Sequence, residues 1–327
     1  MRIVSLLPAA TEILYAIGAG DSVVGVTHEC DFPAEAATKP ALIRPRIDVT
    51  AVPAEIDRQV RELIGRHESI YSLDAELLLR LDPDLIVTQD LCHVCAASSD
   101  DLASALARFP ANRTPRVVSF TPRTLQEVWH GVRDIAEAAG RPSEGEALAG
   151  WLALEVSTVC EAVRDSEPRP RVLCLEWFDP PYAGGHWVPE MVRLAGGIDV
   201  IGGEGEPSFS MDWQDVLSAR PEIVLLMSCG YNVERNINIW RSTKLPAGWR
   251  QIPAVQNDRI YAVDANAYFS RPGPRLSEGV ALLASILHPT RLGAIHPRNG
   301  ESVRHIDSHH AEHLPATESS PSLNFES

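Results

Sequence analysis

The 327 residues carry a formal net charge of −15, with 45% apolar and 22% charged side chains. That length accommodates two domains with cores of their own, and the composition is that of a folded globular chain rather than a fibrous or disordered one. The acidic balance, without any basic stripe, argues against nucleic acid as a partner, and no stretch approaches the ~20 apolar residues that span a bilayer.

The start, Met1-Arg2 followed by Ile3-Val4-Ser5-Leu6-Leu7-Pro8, reads as a buried strand and lacks the order of a signal peptide. A cytoplasmic location is expected for the sequence as it stands, and a periplasmic or cell-surface one if the start is mis-assigned. A helix is expected from about Ala10 to Ile17, stopped at Gly18 and Gly20, before a short strand at Val23–Val26. Residues Ala54 to Arg66 alternate apolar and charged at helical spacing. A short helix, Ala75–Arg80, then leads through Asp82-Pro83-Asp84 into the strand Leu85–Val87. Helix Asp101–Arg108 and strand Arg116–Val118 complete an alternation that implies parallel strands with helical crossovers.

A helix from Leu125 to Ala139, ending at Gly140, follows, then a second from about Ser143 to Arg164, stopped by Pro168-Arg169-Pro170. Strand Arg171–Leu175 opens the second half, and strand Arg259–Val263 with helix Pro274–Leu287 closes it. The halves repeat each other: Arg2–Leu6 matches Arg171–Leu175, Tyr15–Gly25 resembles Arg193–Gly202, and Leu81–Val87 resembles Ala219–Leu225. Matches kept in order argue for two lobes of one design. The expected division is a first α/β lobe at 1–121, a connecting helix at 122–142, a second α/β lobe at 143–289 and a disordered tail at 290–327.

In open parallel sheets the ligand site lies beyond the carboxyl ends of the strands. The corresponding loops, 7–11, 27–32, 88–98, 177–187, 228–232 and 265–271, are dense in aromatic, sulfur and imidazole groups, the mix that a large planar ligand needs. The six cysteines do not form a disulfide framework; Cys160 and Cys174 read as core residues. Cys92-x-x-Cys95, with His93 between, joins His28 and Cys30 as a candidate soft-metal or redox site. His305, His309, His310 and His313 read as a loosely chelating tail, and Gly202-Gly203-Glu204-Gly205 lacks the spacing of a phosphate loop.

Ser5-Leu6-Leu7-Pro8-Ala9-Ala10-Thr11-Glu12, Gly25-Val26-Thr27 and Pro83-Asp84-Leu85-Ile86 resemble the first lobe of class III periplasmic substrate-binding proteins, which serve importers of vitamin B12, haem and ferric siderophores. His28-Glu29-Cys30-Asp31-Phe32-Pro33, Gln89-Asp90-Leu91-Cys92-His93-Val94-Cys95, Glu176-Trp177-Phe178-Asp179-Pro180 and Gly185-His186-Trp187-Val188-Pro189-Glu190 resemble its cobalamin-binding branch. The resemblance covers about residues 2–288. It implies an α/β fold of two Rossmann-like lobes with mostly parallel sheets, joined by a single long helix and opening only slightly.

The resemblance further implies that Tyr71, Gln89, Phe178, Phe209 and Arg271 lie near the ligand, with Trp177 and Trp187 as neighbouring aromatics. Pro8, Cys92 and His186 of the strand-end loops complete the candidate ligand set, and a thiolate or imidazole there, His28 included, is suited to an axial bond to cobalt. The family docks on its permease through one Glu per lobe; Glu76 fits the first position, and the second falls at Gln214 beside Asp212 and Asp215. The expected function is capture of cobalamin or a related corrinoid between the lobes, serving an ABC permease, without catalysis. The alternatives are a metal- or thiol-dependent enzyme or sensor built on Cys30, Cys92, Cys95 and His28, or a haem- or siderophore-binding protein.

Overall fold

A computed structural model describes residues 1–89, 99–291 and 300–307. The first sheet contains β1 (Ile3–Ser5), β2 (Val23–Thr27), β3 (Ala41–Pro45), β4 (Tyr71–Leu73), β5 (Leu85–Thr88) and β6 (Arg116–Ser119), ordered β4-β3-β2-β1-β5-β6. Every neighbouring pair is parallel except β3 with β4. Helices α1 (Pro8–Ala16), α2 (Pro53–Gly65), α3 (Ala75–Leu81) and α4 (Ser99–Leu106) belong to this lobe.

Two helices, α5 (Leu125–Ala138) and α6 (Pro142–Val163), turn back on each other at Gly140, whose φ of 72° is the left-handed value glycine tolerates. Thr124 caps α5 by accepting from the Glu127 N–H at 3.3 Å. Leu125, Val128, Trp129, Val132, Ile135 and Ala136 recur at helical spacing and are all buried. A Cβ on Gly145 would sit 2.3 Å from that of Ala136, so glycine permits the close approach of α5 and α6. Helix α5 leans on α1, and α6 on α12 (Leu276–Leu287).

The second sheet holds β7 (Arg171–Phe178), β8 (Pro181–Ala183), β9 (Ile198–Asp199), β10 (Phe209–Ser210), β11 (Ile223–Leu226), β12 (Ile260–Val263) and β13 (Val303–Ile306). Its order is β10-β8-β7-β11-β12-β13, with β9 also on β7. Helices α7 (Val188–Leu194), α8 (Trp213–Ala219), α9 (Val233–Ser242), α10 (Pro253–Gln256) and α11 (Ala265–Tyr268) precede α12. Only β7, β9, β11 and β12 pair in parallel; β8, β10 and β13 run antiparallel to their partners, so the expectation of a mostly parallel sheet holds for the first lobe and gives way to a mixed sheet in the second. The reason is local. Asp179-Pro180 turns β7 directly back into β8, with Phe178 opposite Pro181.

The tail expected to be disordered from 290 contributes β13, where His305 pairs with Tyr261 across the strands. Its Nε2 lies 2.6 Å from the Asp258 carbonyl, so His305 is a strand residue and not part of a loose chelating run. His309, His310 and His313 lie outside the described residues. Among the described residues no helix is long and apolar enough to cross a membrane.

The repeat read in the sequence is exact enough to reproduce individual hydrogen bonds. The Arg2 N–H donates to the Asp84 carboxylate at 2.7 Å, and its Nε to the Leu81 carbonyl at 2.7 Å. In the other lobe the Arg171 N–H donates to the Glu222 carboxylate at 2.9 Å, and its Nη2 to the Ala219 carbonyl at 2.8 Å. The helices α3 and α8 both end on a left-handed residue, Asp82 and Arg220, just before the proline that starts the next strand connection.

One apolar core runs through both lobes by way of α5 and α6. It joins Ile3, Leu7 and Ile13 to Val128, Ile135 and Leu152, and those to Val172, Met191 and Leu283. Each such side chain contributes roughly 1.5–3 kcal/mol by leaving water. The outer face of each sheet has a separate core, around Leu42, Leu78 and Ile86 in the first lobe and around Phe178, Val224 and Trp240 in the second.

Candidate ligand-binding cleft

The carboxyl ends of the strands in the two sheets face each other, because loops that follow β2 and β12 are bonded together. The Arg271 guanidinium, 7% exposed, donates through Nη1 to Asp31 at 2.5 Å and to Glu12 at 3.3 Å, and through Nη2 to the Glu29 carbonyl at 2.8 Å. Arg275 grips Glu12 with both arms of its fork, Nε at 2.9 Å and Nη2 at 2.6 Å. Asn266 donates to Asp31 at 3.2 Å. Burial works against the Arg271 cation, but the hydrogen bond and charge of Asp31, with the charge of Glu12, outweigh it and hold the guanidinium's pKa above its ordinary value.

On the first lobe, Pro8, His28, Tyr71 and Gln89 come together around a small cavity of about 40 Å³, floored by Leu6, Leu7 and Ile43. Pro8 sits there because it opens α1 immediately after β1, a position that needs no N–H. His28 follows β2; its Nδ1 lies 3.0 Å from the Ile43 carbonyl, and its ring is 5.8 Å from that of Tyr71. Tyr71 opens β4 and Gln89 follows β5, so four separate elements supply this wall. A larger cavity of about 250 Å³ lies elsewhere, between Tyr261, Ile286 and Val303 at the β13 edge, away from the strand ends.

On the second lobe, Trp177 near the end of β7 meets Tyr231 after β11, ring centroids 5.4 Å apart. The Arg235 guanidinium lies 4.0 Å above the Tyr231 ring, and Arg235 also donates to the Val49 carbonyl of the first lobe. The Ser228 hydroxyl is buried without a hydrogen-bond partner among the described residues, and the buried Tyr231 hydroxyl lies beside the Arg235 guanidinium. Burial raises the Tyr231 pKa, with the Arg235 charge opposing. Cys229 between them reaches solvent although protein surrounds it on most sides, and that crowding, with Glu176 and Glu29 nearby, pushes its thiol up to about 12. Ser208 donates to Glu176 at 2.7 Å, and Phe209 on β10 is 43% exposed.

Three candidates turn out to serve structure. Phe178 is 1% exposed and packs edge-on against Trp240 in the outer core of the second lobe. Trp187 is buried and its Nε1 donates to the Phe269 carbonyl at 2.7 Å, a strut between α7 and α11. Arg271 is spent on Glu12, Asp31 and Glu29. His186 is half-buried with a left-handed φ of 54°, and burial, then Arg123, lowers its pKa.

The thiol and metal expectation fares differently by residue. Cys92 and Cys95 lie outside the described residues. Cys30 is buried, its Sγ held by the hydroxyls of Thr11 at 3.1 Å and Thr27 at 3.3 Å, and burial raises its pKa against the thiolate a metal would need. Among the described residues no three His, Cys, Asp or Glu side chains are gathered as a metal site. Glu76 and Gln214 occupy the same place in the repeat, each the second residue of its helix, α3 and α8, after an aspartate cap; Glu76 also pairs with Arg108 at 2.6 Å.

Sequence reading missed Glu12, Arg275, Tyr231 and Arg235. The Asn232 cap, which accepts from the Arg235 N–H at 2.9 Å, was the available signal for α9 and for the loop that carries Tyr231.

A vitamin B12-binding protein of Vibrio cholerae is 25% identical to this chain over 301 residues, covering 88% of each. Among solved structures, a periplasmic heme-binding protein from Roseiflexus sp. RS-1 superposes with a TM-score of 0.66 at 25% identity, over 88% of this chain and 98% of its own. The periplasmic vitamin B12 binding protein of Vibrio cholerae gives 0.64 at 22% identity, over 88% and 96%. With these likenesses, the two repeated lobes, and a match to the periplasmic binding protein family across residues 3–267, the chain belongs to that family, as a two-lobed substrate-binding protein of class III.

Proposed function

We propose that the chain captures a corrinoid, cobalamin or a close relative, between its lobes and hands it to an ABC permease. The carrying observation is the pairing of walls: on the second lobe the half-buried Trp177 offers a ring face, backed by the buried Tyr231, while Pro8, His28, Tyr71 and Gln89 line the first. A broad apolar face with few polar groups is what a large ring ligand needs, and the buried Ser228 hydroxyl behind it keeps a hydrogen bond in reserve. His28, with its Nδ1 at the Ile43 carbonyl and its Nε2 3.9 Å from the Glu29 carboxylate, would be the imidazole to bond the ligand's metal. Relatives named for vitamin B12 and for heme support a ring ligand of this size.

The affinity would come mainly from apolar area removed from water, at ~25 cal/mol per Å², less the ordering costs of association. The permease would meet the face that carries Glu76 and Gln214. The named relatives are periplasmic, and that is the compartment we propose in place of the cytoplasmic expectation.

The test is an absorption spectrum of the purified protein after incubation with hydroxocobalamin or hemin and desalting. Retention of about one corrin per chain, weakened about 10- to 100-fold by Trp177→Ala, is expected. Preferential retention of hemin would transfer the site to heme, and retention of neither would overturn capture of a tetrapyrrole altogether.

A further inference from the structure

Strands β3 and β4 are antiparallel neighbours, Ile43 opposite Leu73 and Pro45 opposite Tyr71. A two-residue turn is enough to join such a pair. Instead residues 46–70 intervene, with the 13-residue helix α2 among them. The topology of the sheet does not require this excursion, and long connections without a topological need are characteristically functional.

Its packing is equally unlike that of the other long helices. Only Pro53 and Ile56 of α2 are buried, against eight positions of α5. The helix supports itself instead: Arg58 pairs with Glu55 at 2.7 Å and Glu62 at 3.0 Å along its outer face. The Asp48 N–H donates to Gln59 at 2.8 Å, and the Thr50 N–H to Asp48 at 2.9 Å, so the loop and the helix hold together as one piece.

The ties that hold this piece down reach the other lobe. Tyr182 on β8 donates its hydroxyl to Asp57 at 3.5 Å, and Asp57 also pairs with Arg61 at 2.8 Å. Arg235 on α9 donates to the Val49 carbonyl. Asp57 is only 15% exposed, although it sits on a thinly packed helix, because it faces the second lobe. The roots of the excursion, Arg46 and Ile70, are joined by a 2.7 Å backbone bond, next to Tyr71 at the cleft cavity. That cavity measures about 40 Å³, whereas pockets for ligands of drug size and above run to ~300–1,000 Å³. A ring ligand needs more room than this first-lobe cavity alone provides.

The geometry points to residues 46–70 as a lid, latched to the second lobe by Asp57–Tyr182 and Val49–Arg235, that swings on its β3–β4 root to admit ligand and then closes over it. The ligand it admits rests on the capture reading; its motion in the free protein does not.

Hydrogen exchange of the full chain, read by mass spectrometry, tests both parts. In the free protein the amides of α2 should exchange on the order of tenfold faster than those of α5. The double variant Tyr182→Phe/Arg235→Gln, whose changes both lie outside the lid, should speed α2 a further few-fold and leave α5 and α12 unchanged. Hydroxocobalamin or hemin at saturation should slow it. Exchange of α2 as slow as that of α5 and indifferent to the double variant would overturn the lid. A lid that responds to the latch variant but to neither tetrapyrrole would support the lid's motion and overturn the capture reading instead.

Discussion

At one seam between the lobes Glu12, 3% exposed, accepts from Arg271 and from both arms of Arg275. At the other, a tyrosine hydroxyl reaches Asp57 across 3.5 Å beside a helix with only two buried residues. The first seam lies where water and salt screen little and where two guanidinium groups depend on one carboxylate. The second offers bonds that water can replace. Lobes joined this way do not gape as wholes: the buried seam acts as a fixed edge, and freedom is concentrated on the side of α2. That division would suit the proposed capture of a large ligand without giving up the common core.

Removing the centre of the buried seam should have the largest effect. Glu12→Ala leaves the buried Arg271 and the half-buried Arg275 without their shared partner and is expected to lower stability by about 3–5 kcal/mol in urea unfolding. A loss under ~1 kcal/mol would show that the two seams are alike. Arg271→Lys keeps the charge but not the fork that spans Glu12, Asp31 and the Glu29 carbonyl; the same measurement should show a loss of about 1–3 kcal/mol.

Asp264 sharpens the contrast through pH. It caps α11 by accepting from the Ala267 N–H at 2.9 Å, and burial raises its pKa despite the nearby arginines. A raised carboxyl favours the fold while protonated, so its contribution is present near pH ~4 and below and is lost as pH rises through the raised value. Urea unfolding of wild type and Asp264→Asn across this range should therefore show the wild-type advantage shrinking as pH increases. A difference that stays flat or grows would contradict the assignment. The smallest effect belongs to the latch: Tyr182→Phe should change global stability by no more than ~0.5 kcal/mol, even while it loosens α2.

Much of the fold is legible because the repeat is punctuated by residues with backbone reasons. Gly18 and Gly196 both carry a positive φ after α1 and α7, and Pro83 and Pro221 both follow a left-handed cap. The strands β3, β4 and β13 were not legible: they are three to five residues long, half-buried, and β13 lies in a polar stretch that reads as a loop. The rule that sites lie beyond strand ends pointed to Pro8, Gln89 and Trp177, and the family resemblance to Tyr71. It could not separate Trp177 from Phe178, because adjacent strand residues point to opposite faces and residue type does not say which face is the cleft. Nor could it find the buried seam, since Glu12 and Arg271 stand 259 positions apart.

The core that threads from Ile13 through Ile135 and Leu152 to Leu283 has a consequence for how this molecule comes apart. Neither half, expressed alone, would have a covered apolar face, so a chain cut in the turn at Gly140 should yield two insoluble fragments that are rescued only by co-expression. In a calorimeter the intact protein should melt in a single endotherm rather than as two modules.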